Sequence, residues 1–116
     1  MDNIVVEKSY RFAVRIVKMC KKLDAEKSPR VITTQVLKSG TSIGANISEA
    51  QHAQSKKDFI AKIHISLKET SETKYWLRLL KDTDYISNKE FDSLFSDVVE
   101  LERIITAISK TAQNNL

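Results

Sequence analysis

Apolar residues recur along this chain with the period of a helix, not of a strand. Val5, Phe12, Ile16, Met19, Cys20 and Leu23 share one face at about 100° per residue, with Ala13 and Val17 at its margin. Ile32, Val36, Gly40, Ile43, Gly44, Ile47 and Ala50 share a second. A third segment carries two stripes. Phe59, Ile63, Ser66, Leu67, Thr70 and Leu77 form one; Ala61, Ile65, Trp76 and Leu79 form another, more than ~100° away. In the last segment Phe91, Leu94, Val98, Leu101, Ile105, Ile108 and Ala112 alternate steps of three and four, a strong packing seam. The pattern predicts helices at about 3–26, 30–52, 55–82 and 87–113 in one domain, 1–116. Short polar connections make this an all-α, antiparallel up-down-up-down four-helix bundle.

Three helix starts have local signals. Ser55 with Asp58 and Ser87 with Glu90 match the capping box, in which a hydroxyl and a carboxylate satisfy free amides. Ser28-Pro29 predicts a start with Ser28 as cap and Pro29 at the first helical position, where its missing N–H costs nothing.

The stretch KSGTSIGANISEAQ, Lys38 to Gln51, holds both of the chain's glycines, four residues apart and without turn chemistry around them. A glycine inside a helix costs about 1 kcal/mol relative to alanine. Two of them on a buried stripe imply that another helix needs the space. Gly40, Ile43, Gly44 and Ile47 are therefore the expected helix-packing seam.

Ile65, Trp76 and Leu79 give the third helix a second apolar face that one short domain has little material to cover. This predicts self-association. Beside the glycine stripe runs a polar strip, Gln35, Lys38, Ser39, Ser42, Asn46 and Glu49. It reads either as an exposed flank or as a hydrogen-bonded seam against another helix or another copy. On the second reading Ser42, Asn46 and Glu49 join Ile65, Trp76 and Leu79 as the expected subunit interface.

Composition narrows the class. At 41% hydrophobic residues with a single proline, the chain has the makings of a packed core, not of a disordered segment. The lone Cys20 leaves no internal disulfide and suits a reducing cytoplasm. The start, MDNIVVEKSY, lacks the basic and apolar regions of a signal peptide, and no stretch approaches the ~20 apolar residues of a membrane span. A cytoplasmic protein without membrane contact is expected. The net charge of +4 permits an anionic partner. Lys8, Arg11, Arg15, Lys18 and Lys22 recur at intervals of 3, 4, 3 and 4 and line up along the first helix. Such a stripe is either a solvated face or a contact for the phosphate backbone of RNA or DNA.

Reactive constellations are absent. Glu49 and His52 make one E-x-x-H, half of a bundle di-iron motif, but no second copy exists and Glu49 points away from the apolar face. Cys20 lies on the apolar face without a base nearby. No serine sits in a G-x-S-x-G setting, and both glycines fall within helical periodicity and not in a phosphate loop. No catalytic residue, metal or cofactor is expected.

The chain resembles the bacterial four-helix-bundle proteins first described as encoded in intervening sequences of the large ribosomal RNA gene. Their R-S-x-x-S-I-x-A-N, followed by a glutamate and by S-K-x-[ED]-F-I, is matched by Lys38, Ser39, Ser42, Ile43, Ala45, Asn46, Glu49, Ser55, Lys56, Asp58, Phe59 and Ile60. ISLKETSETKYWLRLL is similar to the signature of one subgroup, through Glu69, Glu72, Tyr75, Trp76 and Leu77. Lys38 replaces the usual arginine, which removes bidentate pairing there, and Ala50 stands where many members have glycine. The resemblance implies a homo-oligomer, typically a pentameric ring, with no known enzymatic activity. It extends to an accessory protein of diversity-generating retroelements, a similar bundle whose basic pentamer binds nucleic acid. An unidentified protein partner is the alternative occupant of such a ring.

Overall fold

The computed structural model describes residues 3–115. Within them the chain forms four helices and no strand: α1 (Asn3–Ala25), α2 (Arg30–Ala50), α3 (Lys56–Asp82) and α4 (Asn88–Asn114). Each helix packs on two neighbours, α1 on α2, α2 on α3, α3 on α4 and α4 back on α1, and among the described residues no Cα atoms of diagonally opposite helices come within 8 Å of each other. Paired contacts fix the directions. Gly40 faces Ile16 while Gly44 faces Ser9. Ser66 reaches Ile43 while Thr73 reaches Ser39. His64 reaches Ser109 while Lys74 reaches Glu102. Lys8 reaches Glu100 while Arg15 reaches Ser93. In every seam a rising number meets a falling one, so all neighbours are antiparallel in an up-down-up-down bundle of 47 × 21 × 20 Å.

Helix ends follow local chemistry, with one correction. Ser55 Oγ accepts from the Asp58 amide at 3.0 Å, and Ser87 Oγ accepts from the Glu90 amide at 3.1 Å, as the capping boxes predict. The reciprocal Asp58 carboxylate takes the Gln54 amide, one residue before the cap. Ser28 does not cap α2. Its hydroxyl is buried, donates to the Leu23 carbonyl at 2.9 Å and lies 3.1 Å from Thr33 Oγ1, while Pro29 takes the cap position without a side-chain bond. The buried end of α1 claims Ser28 because its hydroxyl, once out of water, needs partners there and finds Leu23 O and the Thr33 hydroxyl, while the first amides of α2 are left to solvent.

α1 and α3 end alike. The Ser28 amide bonds Leu23 O and the Lys27 amide bonds Asp24 O; the Tyr85 amide bonds Leu80 O and the Asp84 amide bonds Lys81 O. This is the Schellman pattern, and its left-handed position holds Lys27 (φ 58°) and Asp84 (φ 68°), where glycine is usual.

Glycine is used inside the bundle instead. A Cβ on Gly40 would stand 2.8 Å from Ile16 Cγ1, and one on Gly44 would stand 3.1 Å from the Ser9 carbonyl oxygen. Ile16 is fully buried and branched at Cβ, so it has little room to turn. The packing seam expected at Gly40, Ile43, Gly44 and Ile47 is thus the α1–α2 contact, with Ile43 and Ile47 fully buried beside it. The core runs the length of the bundle through Phe12, Ile16, Val36, Ile63, Leu77, Leu80, Val98, Leu101 and Ile105.

Between α2 and α3 the contact is hydroxylic. Ser39, Ser66, Thr70 and Thr73 are all buried. Ser66 Oγ donates across the seam to Ile43 O at 2.9 Å, and Thr70 Oγ1 donates to Leu67 O at 2.6 Å. The Thr73 hydroxyl donates to Glu69 O at 2.8 Å and stands 3.0 Å from Ser39 Oγ. Small side chains whose polar atoms are satisfied allow close packing without a desolvation penalty.

Two stability measurements follow. Gly44→Leu is expected to lose about 1–3 kcal/mol in denaturant unfolding, because the added side chain meets α1 backbone that cannot rotate away. A midpoint equal to wild type would mean that α1 and α2 separate freely. Lys27→Gly is expected to gain about 0.5–1 kcal/mol by relieving the left-handed backbone, and a loss would rule out strain at that turn.

Candidate nucleic-acid interface

The five cations of α1 divide by what lies opposite them. Lys8 and Arg15 are half-buried and reach α4: Lys8 Nζ donates to Glu100 Oε1 at 2.9 Å, and Arg15 bonds Asp97 through one guanidinium nitrogen and Ser93 Oγ through the other at 2.8 Å. Arg11 is exposed and loosely paired with Glu7 one turn earlier, at 3.5 Å. Lys18 and Lys22 are exposed and make no ion pair among the described residues. The α1–α4 contact is the sparsest of the four seams, and two clefts open along it. The upper, about 280 Å³, is lined by Arg15, Lys18, Met19, Lys22, Glu90 and Leu94. The lower, about 180 Å³, is lined by Lys8, Arg11, Phe12, Asp97, Glu100 and Leu101. Sequence spacing put the five cations on one stripe but could not show that acids 82 and 92 positions away stand across from two of them.

The expected interface residues lie on the α2–α3 side. Ile65 is 41% exposed, whereas Trp76 and Leu79 are half-buried in the single chain, and Trp76 packs against the core. The second stripe of α3 is therefore partly covered within one bundle. The Trp76 ring meets Tyr75 edge-on at 4.9 Å, and its buried Nε1 has no hydrogen-bond partner among the described residues. Ser42 Oγ donates to Lys38 O at 2.6 Å and Asn46 Nδ2 to Ser42 O at 2.8 Å, so both bond within α2. Glu49 is exposed and pairs with Lys62 of α3 at 3.7 Å. Sequence reasoning missed a further surface: a mostly apolar groove of about 510 Å³ between α1 and α2, floored by Ala13, Gly44 and Ala45, with Glu7 as the one charged residue of its lining and Tyr10 standing 69% exposed. The small or uncharged residues at Val6, Tyr10, Ala13, Thr41, Ala45 and Ser48, interrupted only by Glu7, were the signal for it.

Candidate reactive groups are held in structural contacts. Burial, with the nearby Asp24 charge second, pushes the Cys20 thiol up to about 11, and its Sγ lies 3.8 Å from Thr33 O. It is a packed apolar side chain, not a nucleophile. His64 Nε2 lies 3.1 Å from the buried Ser109 hydroxyl, but the Gln113 amide claims the same ring nitrogen at 2.8 Å. His52 sits exposed in the turn after α2. Among the described residues no three His, Cys, Asp or Glu side chains converge on a metal position, and no helix is long and apolar enough to cross a membrane.

Residues 1–107 match the 23S rRNA-intervening sequence protein family. The chain belongs to that family. The match covers three of the helices and most of α4. A crystal structure of a protein of unknown function from the S23 ribosomal protein family of Bacteroides thetaiotaomicron is similar to it at 49% identity. That similarity covers 91% of this chain and 98% of the other, with a TM-score of 0.89. No curated protein matches the chain. Glu69 and Glu72 lie one turn apart on α3. Burial first, then a hydrogen bond to the Glu72 carboxylate and its charge, raise the Glu69 carboxyl above the ordinary range, against the opposing charges of Lys68 and Lys38.

A carboxyl raised on folding binds its proton more tightly folded than unfolded, so its effect on stability worsens as pH rises through its titration. Glu69→Gln is expected to raise the melting temperature at pH 7, with the gain fading below the ordinary glutamate range. A gain that persists unchanged at low pH, or none at pH 7, would exclude this origin.

Proposed function

We propose that this chain is a non-enzymatic, cytoplasmic homo-oligomer that holds the phosphate backbone of RNA or DNA without reading sequence. Five copies in a ring is the number its family resemblance implies. The observation that carries the reading is the row of exposed cations on α1, Arg11, Lys18 and Lys22, with the last two opening onto the upper α1–α4 cleft. A flexible ammonium on an exposed ridge contacts a phosphate at little desolvation cost, and no recognition helix or base-stacking platform is present to specify bases. Repeating the ridge around a ring multiplies the field. Self-association draws support from exposed Ile65 and from the Tyr10 groove.

A structural or protein-interaction scaffold is the second reading. The groove between α1 and α2 favours it, since its small-residue floor suits a partner helix and the Glu7 carboxylate in its lining repels a polyanion.

A salt titration separates the two. Anisotropy of a labelled ~20-nucleotide single strand should show affinity falling with a log–log slope near −2 between ~50 and ~200 mM salt, for about 0.7 per phosphate at three cations. Arg11→Gln/Lys18→Gln/Lys22→Gln should abolish binding. Undetectable affinity at the lowest salt rejects nucleic-acid binding and leaves the scaffold. A solution mass of one chain rejects the oligomer.

A further inference from the structure

The basic stripe of α1 is built to hold more phosphates than it presents. Lys8 and Arg15 stand in the same row as Arg11, Lys18 and Lys22, yet both point into the α1–α4 seam. There they meet Ser93, Asp97 and Glu100, which recur in steps of four and three along one edge of α4. Asp97 and Ser93 engage both terminal nitrogens of the Arg15 fork, the geometry in which a guanidinium receives a phosphate. Glu100 takes the Lys8 ammonium at 2.9 Å. In the lower cleft two cations face two carboxylates and the charge cancels. In the upper cleft Lys18 and Lys22 face Glu90, beside an Arg15 already paired with Asp97.

These pairs hold no deeply buried charge. Each partner is between 39 and 43% exposed, so water reaches both ends and the bond exchanges readily. The seam they cross is the sparsest of the four, with Phe12 and Leu101 already packed in the core beneath it. The carboxylates therefore do little to hold the bundle together and much to set how many cations remain free.

We infer that Asp97 and Glu100 are resident phosphate mimics: they occupy Lys8 and Arg15 and restrict the α1 stripe to its other three cations. The inference rests on the nucleic-acid reading above and specifies its regulation. It implies that the binding face is enlarged by neutralising these two acids of α4 by substitution, without any change to α1. Glu7, Glu90, Asp97 and Glu100 are the acids facing the stripe, and of these only the last two close onto α1 from α4 through direct ion pairs.

The test compares wild type, Asp97→Asn/Glu100→Gln, and a control with the same charge change away from the seam, Asp82→Asn/Asp84→Asn. The probe is a labelled single-stranded oligothymidylate of ~20 nucleotides, titrated across salt. The seam variant should bind at least tenfold more tightly at low salt, with its log–log slope steeper by about 1.4, since two phosphates add about 0.7 each. Glu100→Gln alone should steepen it by half as much. The control should shift affinity less than threefold and leave the slope unchanged. Thermal unfolding of all variants within a few degrees of wild type keeps the comparison on folded protein. Equal slopes for seam variant and wild type overturn the inference while leaving the nucleic-acid reading intact. If neither wild type nor seam variant binds at the lowest salt, the reading fails and the inference with it. Binding by the seam variant alone would mean a site made by the substitutions, and it rejects both the nucleic-acid reading and the inference.

Discussion

Two helices can approach only as far as their side chains allow, and α1 approaches α2 across positions that have none. The space above Gly40 is filled by the branched side chain of Ile16, and the space above Gly44 by the backbone of α1 at Ser9. That contact fixes the depth and register of α1. The register in turn decides that Phe12 and Leu23 enter the core, that Lys8 and Arg15 arrive level with the acids of α4, and that Arg11, Lys18 and Lys22 stay outside. A methyl group at Gly40 would force the Ile16 side chain to shift, and one at Gly44 would press on the α1 backbone at Ser9.

The four seams use different chemistry. α1–α2 uses missing side chains, α2–α3 satisfied hydroxyls, and α3–α4 apolar packing edged by Lys74–Glu102 and His64–Ser109. α1–α4, the least packed, uses water-accessible ion pairs. Exposed pairs of this kind contribute roughly 0–1 kcal/mol each, far less than the burial of Phe12 or Leu101. Stability and charge display are thus assigned to different sides of the molecule.

What the sequence made legible was whatever repeats locally. The helical period of the apolar residues located all four helices and their inward faces, and the serines at 55 and 87 marked two starts to the residue. The glycine pair announced a close contact without saying which helix filled it. What stayed hidden depends on chain segments far apart. Ser28 carries a cap signature, yet the buried end of α1 draws its hydroxyl inward. Lys27 and Asp84 give no hint of left-handed backbone, because glycine and asparagine are the residues that advertise it. The second stripe of α3 looked like surplus apolar surface, but Trp76 and Leu79 are half-covered once α3 is seated between α2 and α4. The basic stripe read as five equivalent charges until folding brought Asp97 and Glu100 beside two of them.

The antiparallel order places the beginning of α1 and the end of α4 at the same pole, on either side of the thinnest seam. Topologically the four helices form a nearly closed circuit. A bridge between Asn3 and Asn114 with a new opening at the Lys27 turn would keep all four helix–helix seams, giving up the bonds of Ser28 to Leu23 across that turn and releasing its left-handed residue. The linear order of the helices is therefore one of several that this architecture accommodates, which makes the bundle a natural scaffold for circular permutation.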